Sequence, residues 1–294
     1  MIASERTPTP PSPYEGEGVL GRTPSGVLGQ SGRLALVARQ VAGRTRLARL
    51  ECRPPLQAMR AHHLDQALPD MAFVIVSSPG GGVLQGDHLE VSVDVEAGAR
   101  LHLDTSSATR LYRMPDVEAR SCLRLRVEAG GCLELVPDPY VPFAGARFLQ
   151  ETRAVVDETG VLLLAEVVAA GRAARGEALR YERFESVLDV RRPSGELLFR
   201  DASRLVPAEG LPARDRPVVG TLHVVAAGFD PGLLVEATGM SGAYAGASWL
   251  PNEAGAWLRV LAADLAMAVA AVDAGWRAAR RALLGADAPR SRRY

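Results

Sequence analysis

The chain contains no lysine: all 34 of its basic residues are arginine. That absence excludes several chemistries at once. A phosphate-binding P-loop needs its lysine to reach the β and γ phosphates. Protein kinases and Schiff-base enzymes need one as well. Cysteine is scarce too, with Cys52, Cys122 and Cys132 far apart and no C-x-x-C pair. An odd, widely spaced set argues against a disulfide scaffold and against a zinc knuckle. There is no run of about 18 uncharged apolar residues, so no spanning helix is expected. No basic segment followed by an apolar run opens the chain, so no signal peptide is expected. The formal charge is zero, and nothing global draws the chain to nucleic acid or to an anionic membrane. A cytoplasmic protein is the expectation.

What is present is strand. Hydrophobic residues make up 47% and charged residues 23% of 294, ordinary globular values. Residues 1–30 are rich in Pro, Gly, Ser and Thr, and they read as a disordered arm. Residues 31–285 form the folded domain, and 286–294 a disordered basic tail. Within the domain short β-like runs recur between Gly, Pro and Asp. In 88–95 the apolar Leu89, Val91, Val93 and Val95 alternate with Glu90, Ser92 and Asp94. A period of two means one buried and one wet face. Eleven such runs without intervening helices predict a mainly β, antiparallel or stacked scaffold. The echo between "VDVEAGARLHLD" and "LRVEAGGCLELV" reads as two hairpins, or as a repeated layer of a stacked architecture.

Two helices are expected near the C-terminus. Leu265, Val269, Val272, Trp276 and Leu283 share one face. Asp264 is the expected N-cap and Gly285 the expected C-cap. "AWLRVLA" before it reads as a last strand. "PGLLVEATG" reads as a short helix with Pro231 at its first position.

The candidate chemistry centres on "SSPGGGVLQGDHLEV", Ser77 to Val91. It does not open a helix, so it is no dinucleotide loop. It is a glycine-rich bend between strands, and glycine permits positive φ and close backbone approach. Asp87 either caps this turn or is a carboxylate held in a backbone-lined position, with Glu90 close behind. His62 and His63 are adjacent, so on a strand they face opposite ways. His88 and His102 would meet across a hairpin, with Asp104 nearby, but no third ligand is fixed. Oxygen and imidazole donors without cysteine would suit a loosely held Ni²⁺. There is no G-x-S-x-G and no H-E-x-x-H, and no readable catalytic centre. A binding or scaffold role is favoured over an enzyme. The alternative is a β-solenoid or sandwich hydrolase using Asp87, Glu90 or Asp104.

Four stretches, in order, resemble the UreD (UreH) family of urease accessory proteins. They are "PGGGVLQGDHLEV", "TSSATRLYRM", "LELVPDPYVPFAGARFLQ" and "AAGRAARGEALRYERFESVLDVRR". The resemblance spans about Arg33 to Leu284, and Arg110 stands where the family often has lysine. It implies a non-enzymatic chaperone that binds a UreF-like protein, through it a UreG-like GTPase, and apo-urease. Such a complex, with a dimer left open, inserts nickel into urease, and an internal tunnel passes the ion. No cofactor is permanently bound; Ni²⁺ is transient. In that reading Asp87, Glu90 and Glu177 are candidates for the Ni²⁺ path, since oxygen ligands hold a dication weakly enough to release it. Gly81, Gly82, Gly86, Tyr112, Arg113, Pro142, Phe143, Arg147 and Phe148 are structural or partner-facing motif positions.

Overall fold

The computed structural model describes residues 29–289. The arm expected over 1–30 lies outside the described residues up to residue 28, as does the tail from residue 290. Residues 286–289 pack onto the body instead of trailing from it, with Ala286 and Ala288 buried.

The chain begins with β1 (Ser31–Val41), β2 (Arg44–Arg53), β3 (Gln57–Ala58), β4 (Ala72–Ser77), β5 (His88–Val95) and β6 (Arg100–Thr105). It continues through β7 (Thr109–Leu111), β8 (Ala119–Val127), β9 (Cys132–Leu135), β10 (Tyr140–Pro142), β11 (Arg147–Val156) and β12 (Val161–Val168). A small ribbon, β13 (Gly171–Arg172) and β14 (Glu177–Ala178), precedes β15 (Arg183–Arg191), β16 (Leu197–Leu205) and β17 (Val218–Val225). Helix α1 (Gly232–Thr238), β18 (Tyr244–Trp249), β19 (Gly255–Ala262) and helix α2 (Leu265–Leu284) complete it.

Two large sheets face each other. The first runs β16-β15-β11-β8-β5-β1-β2, the second β18-β19-β17-β12-β9-β6-β4-β3. The mainly β body with two late helices is as expected, and so is the stacking. The antiparallel pairing is confined to the flanks. In the middle β1, β5, β8, β11 and β15 pair in parallel, as do β4, β6, β9 and β12. The two E-A-G turns are not hairpins. Each hands the chain from one sheet to the other, so β5–β6, β8–β9 and β11–β12 are successive layers of a coil. The physical reason is that alternation marks a buried face but carries nothing about the direction of the neighbouring strand. The turns stack as well: Gly98 N–H donates to the Ala129 carbonyl at 3.0 Å, and Cys132 N–H to that of Ala99 at 2.9 Å.

The space between the sheets holds one core cluster, including Val93, Leu125 and Ala154 from the first sheet and Leu101, Leu133 and Leu162 from the second. The second sheet is covered on its far side by both helices. Every residue of β17 is therefore buried, which explains its unbroken run "VVGTLHVV". Helix α2 begins at Asp264, whose carboxylate accepts from Met267 N–H at 2.8 Å, and ends at Gly285 with φ 64°. Both caps are those expected. Small residues let it lie close: a Cβ on Gly275 would come within 2.9 Å of Leu258 Cδ2.

One ion cluster pins this helix. Arg280 is fully buried. Its Nη1 donates to both Glu134 oxygens at 2.7 and 2.6 Å, its Nη2 to Asp65, and its Nε to the Asp287 carbonyl at 3.2 Å. His102 Nδ1 lies 2.7 Å from Glu134 and its ring stacks on Phe73 at 4.7 Å. Burial lowers the Arg280 pKa to about 10, so the side chain is charged at neutral pH. Removing it strands two buried carboxylates without their counter-charge. We expect Arg280→Ala to lose about 3–5 kcal/mol of stability, read as a lowered urea midpoint. A loss below about 1 kcal/mol, the size of an exposed pair, would contradict a desolvated cluster.

Candidate functional site: the mouth and interior of the sandwich

The glycine bend is built around Asp87. Its carboxylate is buried and both oxygens are taken by backbone: Oδ1 accepts from Gln30 N–H and Oδ2 from Leu84 N–H, each at 2.8 Å. This is the turn-capping arrangement. Gly82 adopts φ 151° and has no room for a side chain. A Cβ there would sit 2.6 Å from the Arg110 carbonyl and 2.7 Å from the Tyr112 ring. Gly81 and Gly86 also take positive φ, 80° and 74°.

The close approach at Gly82 brings the second motif stretch against the first. Val83 N–H donates to the Arg110 carbonyl at 2.8 Å, and Tyr112 N–H returns to that of Val83 at 3.0 Å. The third stretch joins through β10, which pairs in parallel with β7. Phe143 then meets Tyr112 edge-on, ring centroids 4.9 Å apart. The fourth joins through Arg172, whose guanidinium lies 4.1 Å from the Phe143 centroid and grips Glu177 in two bonds of 2.8 and 2.5 Å. That pairing, with the Arg172 hydrogen bond as the largest cause, holds the Glu177 pKa low. Pro142 is buried, and its carbonyl would lie 3.1 Å from a Cβ on Gly171. Arg113 packs its stem over Gly145. Arg147 pairs with Glu182 at 2.5 Å. Phe148 is core, against Tyr140 and Phe184. All four stretches thus converge on one end of the sandwich.

That end opens inward. The bend and the 105–110 loop form the mouth of a chamber of about 170 Å³. Hydroxyl groups line its rim: Ser77, Ser78, Thr105, Ser106, Ser107 and Thr109. Leu89, Val91, Leu103, Leu123, Leu135 and Leu164 form much of its wall. A second cavity of about 30 Å³ adjoins it, sharing Gln150, Leu164 and Ala165. Its lining is polar, and the register explains why. Parallel and antiparallel pairing set Ser121, Gln150, Ser186 and Ser203 side by side across β8, β11, β15 and β16. Opposite them Glu166, Thr221 and Arg259 are neighbours across β12, β17 and β19.

These rows hydrogen-bond across the gap. Tyr140 OH donates to Gln150 Oε1, Gln150 Nε2 to Glu166 at 2.8 Å and Ser186 Oγ to Glu166 at 2.9 Å. Further along, Arg259 donates to Thr221 Oγ1 at 2.9 Å and to Asp201 at 3.0 Å, and His223 Nε2 lies 3.0 Å from Asp201. Burial raises the Glu166 pKa to about 7, against the hydrogen bond from Ser186 and the charge of Arg259. Asp201 is lowered, first by its hydrogen bond with His223.

The chain's similarity to known proteins agrees with this convergence. Residues 30–294 match the profile described as UreD urease accessory protein. The chain is 35% identical over 258 residues to "Urease accessory protein UreD 2" of Streptomyces griseus, covering 84% of this chain and 88% of that one. It is 32% identical over 285 residues to the protein of the same name from Brucella suis, covering 90% and 92%. It is 36% identical over 236 residues to "Urease accessory protein UreD" of Haloarcula marismortui, covering 77% and 79%. The chain belongs to the UreD family.

The UreD reading placed Asp87, Glu90 and Glu177 along one ion path, and they stand in different settings. Asp87 lies beneath the bend. Glu177 stands in the patch beside the mouth. Glu90 is on the other face of β5 from Leu89 and Val91, 3.4 Å from His88. Among the described residues no group of three or more His, Cys, Asp or Glu is arranged to hold a metal. His88 and His102 do not meet, since β5 and β6 belong to different sheets. Cys52, Cys122 and Cys132 are free. Among the described residues no helix is long and apolar enough to cross a membrane.

The interior polar residues were not picked out from the sequence, although a signal was there. Gln150 and Thr152 sit at the apolar parity of Phe148, Ala154 and Val156. Glu166 interrupts "VLLLAEVV". A polar residue on a buried face needs a partner or water.

Glu166 yields a pH test. Its carboxyl keeps a proton in the fold up to about pH 7, whereas the unfolded chain loses it near 4.5. Folded protein therefore binds more protons in that window, and stability falls as pH rises through it. Glu166→Gln removes this slope. Its stability relative to the parent should improve by up to about 3 kcal/mol between pH 4.5 and 8, read by urea unfolding at each pH. A flat difference would show that Glu166 is ionised throughout.

Proposed function

We propose that this chain is a non-catalytic scaffold of urease maturation in the cytoplasm that carries Ni²⁺ through its own interior. It assembles with a UreF-like protein, through it with a UreG-like GTPase, and with apo-urease. The ion enters or leaves by the hydroxyl-rimmed mouth and follows the polar ladder from Ser121 and Gln150 towards Asp201 and Arg259. The observation that carries this reading is the adjacency of the two cavities, which share Gln150, Leu164 and Ala165, behind the family's own motifs. Seven of the residues lining the smaller one are charged or hydroxyl-bearing, with Thr152 and Thr221 buried and Asp201 and Arg259 partly exposed. Such a site accommodates water, and water is what a hydrated dication requires.

The chemistry suits transfer over storage. Carboxylate, hydroxyl and amide oxygens bind a borderline dication without trapping it. Asp87 takes part by fixing the bend that shapes the mouth, and Glu177 by its place beside it. The absence of lysine is consistent with nucleotide hydrolysis residing in a partner. Hydrolysis by this chain is disfavoured because Asp87 is already saturated by two backbone donors and Glu90 faces away from it.

The test blocks the ladder without touching the surface. We expect Gln150→Leu combined with Ser186→Leu to dry the throat. Urease activation in a reconstituted mixture of apo-urease, partners and Ni²⁺ should then be largely lost, while the complex still forms by size-exclusion chromatography. Full activation by the double variant would remove the interior route. Deletion in cells that left urease fully active without added nickel would remove the accessory role itself.

A further inference from the structure

The smaller cavity is polar, but the chamber in front of it is walled largely by hydrocarbon that the sandwich does not cover. Val91 and Leu123 point between the sheets and are neighbours across β5 and β8. The inward residues on either side of them, Leu89 and Val93 on one strand and Ser121 and Leu125 on the other, are buried. Val91 and Leu123 nevertheless keep accessible surface in mid-strand. On the second sheet Leu103, Leu135 and Leu164 stand side by side across β6, β9 and β12. Both rows line the chamber of about 170 Å³. Few voids in a protein interior exceed a water molecule, so this gap between aliphatic rows is unusual. A cavity of about 150 Å³ lined by aliphatic and aromatic side chains is large enough to hold benzene, and this chamber is of that size. Tyr140 and Phe148 add aromatic surface to its lining.

We propose that the chamber is a binding site for a small neutral molecule with an aromatic or short aliphatic body and one hydroxyl group. The body lies between the Val91–Leu123 row and the leucine row, where it replaces poorly held water, and that exchange favours binding. The hydroxyl group finds partners at the rim, on Thr105, Ser106 or Thr109, all of which line the chamber. A charged ligand is disfavoured. Asp104 and Arg110 both line the chamber, so neither sign of charge gains, and an ion set against aliphatic walls loses its hydration. Occupation has a consequence that rests on the reading of the interior as an ion route. An apolar molecule between the mouth and the polar ladder displaces the water with which a dication travels, so passage is closed while the ligand is bound.

The test reads binding to the full chain alone, by calorimetric titration with phenol and with 2-naphthol. Phenol should saturate the parent with a dissociation constant of about 1 mM or tighter. Leu123→Trp fills the chamber and should weaken phenol by about tenfold or more. Leu123→Ala enlarges it and should shift the preference towards 2-naphthol by about tenfold relative to the parent, a gain that an unfolded variant could not show. The proposal is overturned if phenol does not saturate the parent, or if Leu123→Trp binds phenol as the parent does. It is also overturned if Leu123→Ala leaves the preference between the two probes unchanged. None of these measurements involves nickel, a partner or urease, so the site and the ion route can each fail while the other stands.

Discussion

In-register pairing between stacked strands is the constraint from which the rest follows. Each coil of the chain repeats the position of the one before it, about 4.8 Å further along. A residue facing inward on one strand therefore lies beside its counterpart on the next. Where those counterparts are Leu, Val and Ala, the result is a core; where they are Ser121, Gln150, Ser186 and Ser203, it is a continuous polar row. No long-range design of that row is needed. One polar residue per strand at a single register level generates it, provided every strand holds its register. The glycines of the turns serve the same end by letting each coil sit on the last.

The second sheet bears the cost of this arrangement. It must be apolar towards the helices and partly polar towards the interior, and β17 meets both demands within "VVGTLHVV". Thr221 and His223 face the throat, while Leu222 and Val224 pack under α2. The buried carboxylates are then handled in two contrasting ways. Glu134 is clamped by Arg280 on the helix side. Glu166, on the throat side, receives only neutral donors at hydrogen-bond distance, and burial raises its proton affinity against them. A carboxyl poised near neutrality inside a narrow polar gap responds to whatever charge enters that gap.

How much of this was legible depended on whether the signal was local. The strands and both helices are written in period and in end residues; Asp264 and Gly285 stand where they were expected, and Pro231 caps its helix one residue before the first position expected for it. The glycine bend was legible as a corner because "DHLEVSVDV" alternates. Strand direction was not legible, since "VEAGAR" suits a hairpin and a coil turn equally. Residues 286–289 looked like tail because Ala286 and Ala288 gain their burial only from distant segments. The interior row was hidden for the same reason: Gln150 meets Glu166 and Tyr140 only when the two sheets close. The four motifs were visible as a family resemblance but their convergence at one end was not, and the geometry gives its cause in the lack of space at Gly82 and Gly171.

That lack of space bears on the mouth. Where backbone approaches to within a missing methyl group, the segments cannot slide past one another, so the rim of the chamber is set by main chain and not by mobile side chains. Tyr112 and Phe143 are held on that rim by Gly81, Gly82 and Leu111, and Arg172 is held on Phe143 by Glu177. The arginines beyond them have no such anchor. A rigid aromatic centre with loose charge around it is preorganised where shape matters and adaptable where charge matters.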